Sequence, residues 1–152
     1  MRRTVYPDPI GLPTVGVGHL VTPSDGLRVG EQVSYDRILD LFERDLRAAE
    51  DAVGRLVGEL PLFQHEFDAL VDLVYNVGEG GVSEAQSPRL NAGIAEGDYA
   101  AIAAELAYHR AGGGTAGGLV HRSERRIAMF TAADYADPRV AGGAAVARTG
   151  AA

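Results

Sequence analysis

Hydrophobic and polar positions change their spacing several times along the chain, and each change predicts an element. Between Thr4 and Leu20 short β-branched pieces, TVY and TVGV, flank the turn-forming stretch PDPIGLP. Pro7, Pro9, Gly11 and Pro13 exclude a helix there and suit a hairpin connection, while Gly16 and Gly18 permit close backbone approach. The following VTPSDGLRVGEQVS is polar and reads as a loop that ends at Ser34, the N-cap of a helix starting at Tyr35. From Tyr35 to about Val57, Ile38, Leu41, Phe42, Ala49, Val53 and Leu56 form an apolar stripe at helical spacing, with Asp45 as its polar member. The opposite face carries Asp36, Arg37, Asp40, Glu43, Arg44, Arg47, Glu50 and Asp51, the pattern of a solvated face with i to i+4 ion pairs.

Pro61 opens a second, more apolar helical pattern, LFQHEFDALVDLVYNVG, which closes at Gly78 as a C-cap. Phe63, Phe67, Leu70, Val71, Val74 and Tyr75 are expected to face a core. GEGGVSEAQS reads as a loop, residues 88–95 and 98–108 as shorter helices, RAGGGTAGG as a second glycine-rich loop, and 119 to about 135 as a last helix. The result is an α+β, mainly helical chain with two lobes. A β-hairpin lobe covers about 4–30, a linking helix about 34–57 and a helical lobe about 61–136, making one domain over 1–136. Residues 137–152 form a low-complexity tail expected to be mobile. A cleft between such lobes is a common place for a ligand.

Composition narrows the function. With 152 residues and 46% hydrophobic content the chain can build a real core. A net charge of -7 argues against the broad basic surface that binds nucleic acid, and against docking on anionic lipid. No apolar run approaches a membrane span, and MRRTVYPDP lacks the apolar region of a signal peptide, so synthesis in the cytoplasm without a leader is expected. The absence of cysteine removes disulfides and thiolate chemistry. His19, His65, His109 and His121 show no H-E-x-x-H spacing, GGGTAGG lacks the lysine and hydroxyl of a phosphate-binding loop, Val21 interrupts the dinucleotide fingerprint, and no G-x-S-x-G elbow occurs. Neither metal nor cofactor is therefore expected.

What remains is Asp8, Thr14 and His19. Singly they read as a turn carboxylate, a strand residue and a packed histidine satisfied by a carboxylate. Together they form a hairpin that presents one carboxylate and one hydroxyl from neighbouring strands. Such a pair can position a water, with the carboxylate as base. That is half of an inverting glycosidase, whose other half is a protonated carboxylic acid across a cleft.

The string YPDPIGLPTVGVGHL resembles the Y-x-D-x-x-G-x-x-T-x-G-x-G-H motif of the phage-type lysozymes, through Tyr6, Asp8, Gly11, Thr14, Gly16, Gly18 and His19 at unbroken spacing. ALVDLVYNVGEGG, SPRLNAGIAEGDYAAIAAEL and GGLVHRSERRIAMF resemble later segments of the same family, so the likeness runs from about Tyr6 to Phe130. It implies a two-lobed lysozyme fold and a muramidase that hydrolyses the β-1,4 bond between N-acetylmuramic acid and N-acetylglucosamine in bacterial peptidoglycan. By position Asp8 matches the catalytic aspartate and Thr14 the water-positioning threonine. Leu20, Tyr75 and Ser87 match positions lining the saccharide cleft, and His19 matches a structural histidine. The resemblance also implies a monomer that acts at the cell wall during host lysis.

The same likeness implies a general-acid glutamate on a short helix upstream of Asp8, and residues 1–6 carry no carboxylate. The family's tryptophan-bearing strip is replaced by Tyr108 and His109, and the acid of HRSERR is displaced. Three readings stay open: a fragment or misassigned start, recruitment of another acid such as Glu79 or Glu31, or a catalytically inactive lysozyme-like fold that binds glycan or serves a phage particle.

Overall fold

The computed structural model describes residues 1–107, 110–111, 114–115 and 117–136. Tyr108, His109, most of the second glycine-rich stretch's side chains and the tail 137–152 lie outside the described residues.

The N-terminal lobe is a three-stranded antiparallel sheet in the order β1 (Arg2–Pro7), β2 (Pro13–Gly16) and β3 (His19–Leu20). Tyr6 pairs with Thr14, Pro7 with Pro13, and Val15 with His19. The stretch expected as a polar loop does more than connect. It contains a single 3-10 turn at Pro23–Asp25 and then returns along the outer edge of β1. There Val5 N donates to Glu31 O (2.9 Å), Gly30 N to Val5 O (2.9 Å) and Val33 N to Arg3 O (2.8 Å). Covering an edge strand satisfies its backbone groups, a long-range demand that local polarity does not reveal.

Ser34 caps α1 (Tyr35–Val57) by accepting from Arg37 N at 3.2 Å. The helix serves two cores. Ile38 and Leu41, near its start, join Val5, Val15 and Val33 under the sheet. Ala49, Ala52 and Val53 join Leu70, Leu73, Val74, Leu90, Ile102, Leu106 and Phe130 in the larger helical core. One stripe therefore supports both lobes and fixes their spacing.

The second helix, α2, runs from Gln64 to Gly81, three residues later than the proline suggested. The Glu66 carboxylate accepts from Phe63 N (2.9 Å), so the reciprocal cap places the first turn after Phe63. Phe63, expected in the core, is instead 72% exposed, because a capping position lies off the helix's buried stripe. Gly78 breaks the helix with φ 78° and ψ 163°, in keeping with the expected C-cap. Residues 79–81 resume helical turns where a loop was expected.

Two short helices follow, α3 (Pro88–Glu96) and α4 (Tyr99–Ala104), the second stopping earlier than the pattern to 108 suggested. Within the second glycine-rich stretch β4 (Arg110–Ala111) pairs antiparallel with β5 (Gly114–Thr115). The last helix, α5, spans Gly117–Ala132 and lies antiparallel to α2, as shown by pairings of Arg122 with Asn76 and Arg126 with Asp72. Arg126 is 1% exposed; its Nε and Nη2 each lie 2.8 Å from Asp72 Oδ2, and Nη1 donates to Leu106 O at 2.7 Å. A buried guanidinium survives only with such saturation. Among the described residues no helix is long and apolar enough to cross a membrane.

Candidate active site

Asp8 stands where β1 gives way to the hairpin loop, and its carboxylate holds that loop in shape. Oδ1 accepts from Ile10 N (2.9 Å) and Leu12 N (2.8 Å), while the Asp8 amide donates to Leu12 O (2.8 Å). This is the local side-chain-to-backbone bonding that favours aspartate in turns. Both loop contacts use Oδ1, so Oδ2 has no hydrogen-bond partner among the described residues. Thr14 is 6% exposed, and its hydroxyl donates to Leu12 O at 3.1 Å. The two side chains thus meet through residue 12: Asp8 takes its N–H and Thr14 bonds to its carbonyl. The threonine oxygen keeps lone pairs with which to accept from a water.

A cleft of about 520 Å³ lies between the turn after β2, α1 and the end of α2. Leu20 and Tyr75 both line it. Tyr75 joins the lobes. Its hydroxyl donates to Val17 O at 3.0 Å, and its ring meets Phe42 edge-on with centroids 5.9 Å apart. Burial, reinforced by the negative charge of Asp45, pushes the phenol up to about 12, so it remains a donor at neutral pH. Asp8, Thr14 and Ser87 are not among the residues lining this cleft. Ser87 Oγ donates to Gly81 O at 2.8 Å and closes the turn between α2 and α3.

His19 is packed as expected, but between two carboxylates. Nδ1 lies 2.7 Å from Asp45 Oδ2 and Nε2 lies 3.1 Å from Asp25 Oδ2. Asp25 is the residue that the sequence reading passed over. Its side chain is fully buried and accepts from Arg44 Nη2 (2.8 Å), Thr22 N (2.7 Å) and Thr22 Oγ1 (2.7 Å). The T-P-S-D spacing of a capping box was the available signal. Burial alone would raise the Asp25 carboxyl; the donors from Arg44, Thr22 and His19 outweigh it and hold the group well below the usual carboxylate range. A folded value below the unfolded one, near about 4, means the stabilisation is complete above that pH and fades as pH falls through it. Thermal midpoints measured from about pH 5 down to about pH 2 are therefore expected to fall more steeply for the parent than for Asp25→Asn.

Both alternative acids are engaged in local contacts. Glu79 lies in the cleft wall but is held by Arg55, whose Nε and Nη2 sit 2.8 and 3.1 Å from its two oxygens, and this pairing lowers its pKa. A general acid needs the opposite shift. Glu31 accepts from Arg28 N at 2.9 Å and sits in the turn that covers the edge of β1.

The phage lysozyme family model matches residues 1–126. An endolysin of Salmonella phage P22 is 35% identical over 79 residues, covering 51% of this chain and 53% of that protein. An endolysin of Bacillus phage PZA is 31% identical over 118 residues, covering 77% of this chain and 43% of the other. The chain thus spans about half or less of the length of these curated relatives. Among solved structures, the muramidase domain of SpmX from Asticaccaulis excentricus superposes with a TM-score of 0.69 at 26% identity, over 86% of this chain and 87% of that one.

Proposed function

This chain belongs to the phage lysozyme family, and from that premise we propose that it is a peptidoglycan N-acetylmuramidase, cleaving the β-1,4 bond between N-acetylmuramic acid and N-acetylglucosamine at the bacterial wall. The observation that carries the reading is the Asp8 loop. One carboxylate oxygen is fixed by two backbone N–H groups while the other is left to take a proton. Asp8 acts as general base on a water that Thr14 helps to hold. Leu20 and Tyr75, in the cleft wall, contact the glycan, with Ser87 assigned to it by family position alone.

The chemistry is a single displacement with inversion at the anomeric carbon. Water loses a proton to Asp8 as its oxygen attacks, and the leaving sugar oxygen takes a proton from an acid on the other side. Such a pair works at about 6.5–9.5 Å separation, which leaves room for the water. The family's acid is a glutamate preceding the aspartate. Glu79, lowered by Arg55, is not suited to replace it.

The ion pair that Glu79 makes with Arg55 supports one second reading, a lysozyme-like module that binds glycan without cutting it. Clearing of purified cell walls, read with release of reducing sugar, separates the two. Turnover by this chain supports hydrolysis. Wall binding without new reducing ends assigns it to the binding class. A gain of turnover on fusing a helix that bears a glutamate ahead of residue 1 assigns the proton donor to a position upstream of Asp8.

A further inference from the structure

Phe63 is the most exposed large apolar side chain among the described residues, yet its surroundings are firmly built. With Pro61, Leu62, Glu66 and Tyr99 it lines a groove of about 350 Å³ at the start of α2. This groove shares no residue with the glycan cleft. Tyr75 stands twelve residues later in the chain, about 18 Å along the helix axis. Three contacts hold the groove in shape. The Glu66 carboxylate accepts from Phe63 N through Oε2 (2.9 Å), and the Tyr99 hydroxyl donates to Pro61 O, tying α4 to the segment before α2. His65 Nδ1 donates to Met129 O (3.0 Å), which pins the imidazole to α5. The Phe63 ring lies within 13° of parallel to that imidazole, with centroids 5.7 Å apart. One face of the phenyl ring is thus supported while the other meets solvent.

The lining states what fits. No Lys, Arg or His lines the groove, and its one charge is a carboxylate, so an anion finds no partner there. That carboxylate sits in the first turn of a helix, where the helix dipole already balances it, and no cation is demanded. Glu66 Oε1 has no hydrogen-bond partner among the described residues and remains an acceptor. The complement is a neutral molecule with an apolar face for the ring and an N–H or O–H for the carboxylate. A β-1,4-linked N-acetylhexosamine has both, in the axial C–H groups of its pyranose face and in its equatorial hydroxyls and acetamido N–H. We propose that this groove is a second glycan site, which takes N-acetylhexosamine units of wall polysaccharide outside the catalytic cleft. The proposal rests on the muramidase reading for the identity of the polymer and not for its hydrolysis. A second copy of the chain is a poorer occupant. Five lining residues fall short of the roughly 20–30 a side of a stable interface, and a net charge of -7 opposes self-association. Two sites on one wall polymer hold glycan near the cleft by raising its effective concentration.

Phe63→Ser removes the platform and keeps the helix, because serine is a favoured N-cap residue. Placed in an Asp8→Asn chain, which leaves walls intact, it is expected to weaken co-sedimentation with purified cell walls by about tenfold. Phe63→Trp is expected to keep the parent's wall affinity. A trimer of β-1,4-linked N-acetylglucosamine should shift the Phe63 ring resonances in an NMR titration, and its shifts at Tyr75 should be the same in Phe63→Ser. Unchanged wall binding by Phe63→Ser, or a trimer that shifts Tyr75 alone, overturns the second site and leaves the muramidase reading standing. Shifts at Phe63 in a parent chain that releases no reducing ends support the second site and overturn the muramidase reading. Weakened wall binding with no trimer shift at Phe63 assigns the groove to a wall component other than glycan. Concentration-dependent sedimentation of the free protein that Phe63→Ser abolishes assigns it to a second copy; either result overturns the proposal.

Discussion

Asp8→Asn is expected to reduce wall clearing by about 10²–10⁴-fold, the usual contribution of a positioned proton acceptor. The substitution is unusually clean. Asparagine keeps an oxygen where Oδ1 now accepts from Ile10 N and Leu12 N, so the loop retains its shape. What disappears is the charge and the basic oxygen. Folding stability should change by no more than about 1 kcal/mol, since only the charge assistance of two exposed bonds is lost. Asp8→Ala separates the two roles further. It should abolish clearing equally and also loosen the loop, because the amides of Ile10 and Leu12 lose their acceptor. Initial clearing rates and urea midpoints measured on the three proteins decide the matter. Retained clearing in Asp8→Asn would remove Asp8 from the chemistry.

Gly16→Ala is expected to destabilise the chain by about 2–5 kcal/mol, for two reasons that add. Gly16 has φ +68°, a left-handed conformation that costs an L-residue roughly 1–2 kcal/mol. A Cβ there would also stand 2.7 Å from Ile38 Cγ2. Ile38 is 1% exposed and β-branched, so it cannot turn aside within the small core under the sheet. Overpacking of that kind costs about 1–3 kcal/mol. Gly18→Ala is the internal control. Gly18 has φ +94° but nothing within 4 Å of its would-be Cβ, so it should show the backbone cost alone. Equal losses at the two positions, by urea unfolding, would remove the packing argument. The pair also explains why closely spaced glycines occur in the motif: one admits the neighbouring helix, and both provide backbone that other residues resist.

Much of this protein is legible along the chain because its local chemistry and its fold agree. The prolines and glycines between Tyr6 and Gly18 permit little except a tight hairpin. The stripe from Ile38 to Leu56 describes α1 from Tyr35 to Val57, and Ser34 announces its cap. Leu20 and Tyr75 reach the same cleft from opposite lobes. Periodicity reports which face of an element is buried, and these elements each have one buried face.

What it cannot report is which partner meets that face. Arg126 reads as one of several charges on a last helix, yet it is buried on Asp72 because α5 lies antiparallel to α2. Asp25 looks like a loop residue, but the return of its segment makes it the counterpart of His19 and Arg44. Phe63 has the composition of core and the position of a cap, and position decides. Asp8 and Thr14 are joined through the peptide of Leu12, a link set by hairpin register. Local sequence determined the elements, the hairpin and the residues worth watching. Only the tertiary structure decided which charges are neutralised and which are left waiting, because the energy of a buried charge depends on partners far away in the chain.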